Sequence, residues 1–217
     1  MLESRPSALN QLFAASPHFS ISARVPANRQ SGRKASAPGI VALTGCMGAG
    51  KTSVGGALAA LLGWIFLDLD QEIELRQKLP IREIFQLQGE LRFREIEADT
   101  LRAILKQVSA PTVIALGGGT FIQDRNAELL RARGARVVFL EAPMKQLLKR
   151  CRVATQSSTE NLRPLAADPD AFRKLYAKRL PHYRSAQMTV RTAGKTIEEI
   201  AREIASRLQL AAGAAEG

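Results

Sequence analysis

One eight-residue segment constrains the fold of this chain more than any other. Residues 45–52, GCMGAGKT, match the pattern G-x-x-x-x-G-K-[ST], in which a glycine-rich loop wraps around phosphate groups. An apolar run at 40–43 precedes the loop and has the character of a buried strand, while 54–62 carries apolar residues at helical spacing. The loop therefore joins a strand to a helix, which phosphate binding requires. An ordinary glycine-rich turn is the weaker alternative.

The residue types within the loop suit a nucleotide and a magnesium ion. Glycines at 45, 48 and 50 allow backbone N–H groups to turn inward toward phosphate oxygens, and the following helix adds the positive end of its dipole. Lys51 can reach the outer phosphates, and the Thr52 hydroxyl can bind magnesium. We therefore predict a protein that uses a nucleotide.

After residue 38, apolar β-type runs alternate with helical patterns, which is typical of parallel strands joined by helical crossovers. A chain of 217 residues suits one α/β domain with a tail rather than two catalytic domains. We predict strands at 39–44, 64–68, 112–116, 135–140 and 187–191. We predict helices at 51–62, 70–77, 81–87, 90–107, 125–133, 143–150, 169–180 and 196–210, the seventh of them stopped by Pro181.

Composition limits the classes of function, metal site and cellular location that are open to this chain. A net charge of +11 suits a nucleic-acid binder and equally an enzyme that holds a triphosphate and an anionic substrate. Charge therefore does not distinguish between these two functions. Two cysteines and two histidines cannot build a disulfide framework or a Cys/His zinc site, and we expect a cytoplasmic protein. The chain lacks an apolar run of about 18 residues, so we expect no membrane span.

The predicted domain occupies residues 39–212, followed by a flexible tail at 213–217. Residues 1–38 are rich in Ser, Ala and Arg and poor in acids. We expect a disordered extension there, and the alternative is a transit peptide for a plastid or another organelle.

Two carboxylates stand where the second predicted strand ends. Because ligands gather at the carboxyl ends of parallel strands, Asp68 is expected beside the phosphate loop, where it can hold magnesium directly or through water. Asp70 can then meet the hydroxyl that receives a phosphoryl group. The alternative is that Asp70 only caps the following helix.

Other segments carry weaker signals. Arg94 has Glu97 three residues on, so an ordinary surface ion pair is available to it. Three glycines at 117–119 follow the third strand and favour a close approach to the backbone, although a flexible turn would also explain them. Residues 152–162 are polar and aperiodic between basic flanks, which suggests a lid that closes over phosphates.

Six segments taken together resemble one enzyme family. In chain order they are GCMGAGKTSVG, FLDLDQEIE, FREIE, GGG, RPL and KRLPHYR. Their order and spacing are similar to those of the shikimate kinases, over a match from about residue 40 to 210. The resemblance implies a three-layer α/β fold of the nucleoside-monophosphate-kinase type, with a five-stranded parallel sheet ordered 2-3-1-4-5, flanking helices and a mobile lid at about 150–165. It also implies transfer of the ATP γ-phosphate to the 3-hydroxyl of shikimate, in chorismate and aromatic amino-acid biosynthesis.

The resemblance further implies a role for individual residues and a set of partners. Shikimate would be bound by Asp70, Arg94, Gly117, Gly118, Gly119 and Arg179. ATP would be bound by Gly48, Ala49, Gly50, Lys51, Thr52, Ser53, Arg152 and Arg163, with Arg150 as the alternative to Arg152 for stacking on adenine. Mg²⁺ would be held by Thr52 and Asp68, and catalysis would rest on Lys51, Asp70 and Arg163. We expect a monomer that binds neither nucleic acid nor membrane.

Two other functions remain open at this point. One is a related small-molecule kinase of the same fold, acting on gluconate or a nucleoside monophosphate. The other is a shikimate-kinase-like domain that binds nucleotide or metabolite without turnover. Paired arginines at 94 and 179 with three glycines argue against the first, and the complete set of catalytic residue types argues against the second.

Overall fold

The computed structural model describes residues 39–157 and 168–210, with the side chains of 152–157 excluded. The described residues form a parallel sheet of five strands in the order β2-β3-β1-β4-β5, as predicted. The strands are β1 (Ile40–Thr44), β2 (Ile65–Asp68), β3 (Thr112–Ala115), β4 (Arg136–Glu141) and β5 (Met188–Arg191). Each predicted strand is confirmed to within one residue at either end.

The strands are in a register that brings their carboxyl ends to one edge of the sheet. Asp68 pairs with Ala115 across β2 and β3, and Thr44 pairs with Phe139 across β1 and β4. All five residues of β1 are buried, which fits its central place in the sheet. The segments that follow β1, β2 and β3 therefore emerge side by side.

Helices connect the strands within the described residues. They are α1 (Lys51–Leu62), α2 (Leu69–Gln77), α3 (Ile81–Gln107), α4 (Asp124–Ala132), α5 (Met144–Ser157), α6 (Pro169–Arg184) and α7 (Ile197–Arg207). The helices predicted at 81–87 and 90–107 are the two arms of α3, which Gly89 interrupts with a φ of 76° and a ψ of 173°. Glycine adopts this conformation without steric cost, so the break lies where the sequence predicts it.

The core lies on both faces of the sheet, which confirms the three-layer arrangement. Along β1, Val41 and Leu43 pack in one cluster with residues of α1 and α7, while Ile40 and Ala42 pack in the other with residues of α2 and α3. This alternation follows from the two-residue period of a strand. In the described residues no helix is long and apolar enough to cross a membrane.

Three expectations about helix ends are wrong. Helix α6 continues through Pro181 to Arg184, although proline removes a helical N–H donor. The reason is tertiary packing, because Tyr183 in the last turn is fully buried and stacks on Phe139 at 5.3 Å between ring centroids. Helix α5 extends to Ser157, so the first residues of the predicted aperiodic loop, 152–157, are helical. Helix α7 ends at Arg207 rather than at Leu210.

Candidate active site

The loop between β1 and α1 has the backbone conformation of a phosphate cradle. Gly45, Gly48 and Gly50 have φ angles of 144°, 78° and 92°, which disfavour any other residue. A methyl group placed on Gly45 would lie 2.8 Å from the Leu140 carbonyl oxygen, so the loop is also packed closely against β4. Among the described residues no side chain caps the first turn of α1. The N–H groups of that turn are therefore available to an anion.

Lys51 begins α1 and folds its side chain back over the loop. Its ammonium donates to the carbonyl oxygens of Gly45 and Cys46 at 3.0 and 3.1 Å. The charge therefore lies inside the loop that is expected to hold phosphates. Burial raises the pKa of the neighbouring Cys46 thiol to about 11, although Lys51 opposes the shift. The thiol is protonated at neutral pH, which excludes a thiolate nucleophile at this position.

Asp68 connects the phosphate loop to the second strand. Its Oδ2 accepts a hydrogen bond from the Thr52 hydroxyl at 2.6 Å, and its Oδ1 accepts from the N–H groups of Asp70 and Gln71. Asp68 is thus the N-cap of α2, and the alternative that Asp70 caps this helix is wrong. A hydroxyl oxygen and a carboxylate side by side are oxygen donors of the kind that Mg²⁺ prefers, so these residues fit the predicted metal.

The three glycines after β3 face three different predicted groups. A methyl group placed on Gly117 would lie 2.8 Å from Asp70 Oδ1, and one on Gly119 would lie 2.7 Å from Arg94 Nη1. A methyl group placed on Gly118 would lie 3.5 Å from the Met47 nitrogen of the phosphate loop and 3.9 Å from Arg179 Nη1. A methyl group on Gly117 or Gly119 would displace these neighbours, whereas one on Gly118 would make only ordinary van der Waals contact. The turn is therefore the point where the phosphate loop and the predicted substrate residues meet.

Arg94 lies in α3 and is held from several sides. Its guanidinium pairs with Glu97 at 3.1 Å and with Glu90 at 3.2 Å, and it lies 5.2 Å from the centroid of the Phe93 ring. The i,i+3 pair with Glu97 is therefore confirmed, but it is not a surface pair. Glu97 is buried, and its other oxygen accepts from the Thr120 hydroxyl at 2.7 Å. A buried carboxylate with two partners fixes the guanidinium beside the glycine turn.

Arg179 approaches the same turn from α6. Its Nη1 donates to the Gly118 carbonyl oxygen at 3.3 Å, and the Tyr183 hydroxyl donates to the same oxygen. The Nε atoms of Arg94 and Arg179 are both buried, and neither has a hydrogen-bond partner among the described residues. Buried donors of this kind are costly unless a ligand satisfies them, and a carboxylate is the group that guanidiniums bind best.

The structure leaves part of the predicted nucleotide site untested. Arg163 and the side chain of Arg152 lie outside the described residues. Arg150, the alternative to Arg152, donates from Nη1 to the Gly48 carbonyl oxygen at 3.2 Å. This contact places a guanidinium at the rim of the phosphate loop.

Sequence reasoning missed three residues that shape this site. The sequence indicates Glu97 only as an ion-pair partner of Arg94, and it assigns no role to Thr120 or Tyr183. Tyr183 follows Arg179 by four residues, a spacing that places both on one face of a helix, but the expected stop at Pro181 concealed this signal. Thr120 directly follows the glycines, which is the only sequence signal for it.

The comparison with protein families decides which enzymes this chain is related to. A family model described as shikimate kinase matches residues 47–209, which is well over half of the chain. The chain belongs to the shikimate kinase family. The match contains part of the phosphate loop, Asp68 and Asp70, the glycine turn and both arginines.

Individual relatives agree with this membership. Shikimate kinase from Moorella thermoacetica is 39% identical over 174 residues, which cover 79% of this chain and 95% of the relative. Shikimate kinase from Geobacter sulfurreducens is 41% identical over 169 residues, covering 76% and 88%. Among solved structures, shikimate kinase from Acinetobacter baumannii in complex with shikimate superposes with a TM-score of 0.69 at 34% identity, covering 79% of this chain and 93% of that one. The shared fold extends over nearly the whole length of these shikimate kinases.

Proposed function

We propose that this protein transfers the γ-phosphate of ATP to the 3-hydroxyl of shikimate, a step of chorismate and aromatic amino-acid biosynthesis. The observation that carries the proposal is the glycine turn at 117–119, which contacts the phosphate loop, Asp70, Arg94 and Arg179 within three successive residues. An acceptor held by these side chains would lie next to the phosphates on the loop. Family membership and the solved complex with shikimate support the same substrate.

The reaction follows from positioning and charge. Phosphoryl transfer passes through a loose transition state, so catalysis consists mainly of aligning the two reactants and neutralising charge on the phosphoryl oxygens. The N–H groups of Gly48 to Ser53 would hold the triphosphate, and Lys51 would move from the loop carbonyls to the transferring group. Arg94 and Arg179 would bind the substrate carboxylate. Asp70 would orient the 3-hydroxyl and accept its proton late in the transfer.

Magnesium would bind beside Thr52 and Asp68. The Thr52 hydroxyl, which donates to Asp68 Oδ2 at 2.6 Å, would turn its oxygen toward the ion while keeping this hydrogen bond. The ion would supply positive charge that neutralises the phosphate oxygens during transfer. Asp68 would hold the hydroxyl and the ion's water ligands in place.

The remaining assignments rest on the family pattern and on composition. We propose that Arg163 reaches the transferring phosphate and that Arg152 stacks on adenine, within a lid at about 150–165. The catalytic domain would occupy 39–212, with an extension at 1–38 and a tail at 213–217. We propose a cytoplasmic monomer, or an organellar one if residues 1–38 are a transit peptide, without a nucleic-acid partner. Two buried cysteines outside any disulfide support a reducing compartment.

A coupled assay of ADP release tests the proposal directly. Purified protein with Mg²⁺ and ATP is offered shikimate, gluconate and nucleoside monophosphates in parallel. We expect turnover with shikimate alone. ATP binding without phosphorylation of shikimate would contradict the proposal and favour a domain that only binds, whereas turnover with gluconate would favour a related kinase.

Gly119→Ala is expected to lower the catalytic efficiency with shikimate without destabilising the fold. The added methyl would lie 2.7 to 2.9 Å from three atoms of the Arg94 guanidinium, which must then move away from the turn. Because the displaced atoms end a flexible side chain, we expect a small change in Tm and a fall in kcat/KM for shikimate of about 10- to 100-fold. Steady-state kinetics with each substrate varied in turn and thermal unfolding would measure this.

Gly56→Ala is the matched control for that variant. Gly56 lies within α1, and apart from its chain neighbours and the adjacent backbone of its own helix no described atom comes within 4 Å of a methyl placed on it. Alanine in a helix is favoured over glycine by roughly 1 kcal/mol, so we expect equal or higher Tm and unchanged kinetics. Wild-type kinetics for Gly119→Ala would show that Arg94 need not lie against this turn.

Asp68→Asn is expected to raise the Mg²⁺ concentration needed for half-maximal activity by about 10-fold, a typical effect of losing a group that orients a metal ligand. Asparagine keeps an oxygen that can cap α2 but loses the second acceptor for Thr52 and the negative charge. The measurement is a Mg²⁺ titration at saturating ATP. Asp168→Asn is the control, because Asp168 caps α6 through the same two types of backbone contact. A shared shift in both variants would mean that only capping was lost.

A further inference from the structure

The carbonyl oxygen of Gly118 accepts two hydrogen bonds from one face of α6. Arg179 Nη1 donates at 3.3 Å, and the hydroxyl of Tyr183, one helical turn later, also donates. Arg179 is expected to contact the substrate. Tyr183 has no such role in the mechanism above, although its hydroxyl reaches the middle of the same turn.

The ring of Tyr183 is fixed independently of any ligand. It is fully buried and stacks on Phe139 of β4, with ring planes at 22°. Burial raises the pKa of the hydroxyl far above its ordinary value, so it remains a proton donor over the whole range in which the enzyme would work. The packing of the ring alone does not account for the hydroxyl, since phenylalanine would fill the same space.

Peptide geometry connects the carbonyl of Gly118 to the substrate side of the turn. In a trans peptide the C=O of one residue and the N–H of the next point in opposite directions. The described chain contains no cis peptide, so the Gly119 N–H points away from the α6 donors that hold the Gly118 carbonyl. Gly119 itself lies against the Arg94 guanidinium. Holding one carbonyl therefore fixes the direction of the N–H donor of the residue that lies against Arg94.

We propose that Tyr183 is a positioning residue for shikimate: its hydroxyl, together with Arg179, locks the Gly118–Gly119 peptide so that the Gly119 N–H faces the substrate. The inference rests on the proposed function. It assigns to Tyr183 an effect on shikimate affinity that is separate from its contribution to the core. It also explains why α6 continues through Pro181, because ending the helix there would withdraw this donor.

Tyr183→Phe separates the two contributions. The variant keeps the ring and its stacking and removes only the hydroxyl. We expect KM for shikimate to rise roughly 10-fold, the scale of one hydrogen bond, with KM for ATP within about twofold of wild type. Calorimetric titration with shikimate, below the unfolding temperature of the variant, should show the same loss of affinity. Tyr176→Phe, on the same helix and half-buried, is the matched control and should leave both constants unchanged.

A double variant provides a second measurement. Since Arg179 and Tyr183 share one acceptor, the effects of Arg179→Ala and Tyr183→Phe on shikimate affinity should not be additive. The proposal is overturned if Tyr183→Phe binds shikimate like wild type, or if KM rises equally for both substrates as Tm falls. Additive effects in the double variant would also overturn it. If the proposed function itself is wrong, wild-type protein will not phosphorylate shikimate. That result is distinct from any result for the Tyr183 variants.

Discussion

Replacing Asp70 by asparagine is expected to lower kcat for shikimate phosphorylation by about 100-fold or more. Asp70 Oδ1 lies against Gly117, in the turn that also contacts the phosphate loop and the two arginines. A carboxylate there can orient the acceptor hydroxyl and take its proton, whereas the amide cannot accept a proton at neutral pH. The substrate contacts proposed for Arg94 and Arg179 would remain, so KM for shikimate should change much less than kcat. Rapid-quench or steady-state kinetics at saturating substrates would measure the effect.

Asp99→Asn is the control for that result. Asp99 is an exposed carboxylate on α3 that pairs with Arg102. Its kinetics should match wild type. Near-normal kcat in Asp70→Asn would remove Asp70 from the mechanism, and the carboxylate would then only shape the pocket.

Lys51→Met is expected to lower kcat by about 10²- to 10³-fold, the range found when one group that stabilises a developing charge is removed. The ammonium lies within the phosphate loop, where it donates to the carbonyl oxygens of Gly45 and Cys46. Methionine keeps the length of the side chain and removes the charge. Single-turnover kinetics and calorimetric ATP binding would measure the loss of rate and of affinity.

Lys106→Met is the control for the loss of a lysine charge. Lys106 is exposed in the last turn of α3. We expect wild-type turnover from it. If Lys51→Met kept more than a tenth of wild-type kcat, charge neutralisation would have to come chiefly from magnesium and the arginines of the proposed lid.

The sheet could be predicted from sequence because its signals are local. Short apolar runs bounded by glycine and by helical patterns gave all five strands, and the order followed from the family resemblance. The break at Gly89 was predictable in the same way, since glycine tolerates a conformation that other residues avoid. The end of α6 was not predictable, because stacking on Phe139 and a hydrogen bond to Gly118 outweigh the local effect of Pro181.

The candidate site also has features that local sequence signals predict and features that only tertiary contacts decide. The sequence by itself determined the phosphate loop, because its glycines, lysine and threonine are adjacent in the chain and their spacing carries the chemistry. Through the resemblance to shikimate kinases, it also predicted which side chains would bind a substrate. Only the tertiary structure decided that Asp68 rather than Asp70 caps α2, that Glu97 is a buried anchor for Arg94, and that Tyr183 meets Gly118. These contacts join residues from different elements or depend on burial, and neither spacing nor propensity records which side chains the packed sheet brings together.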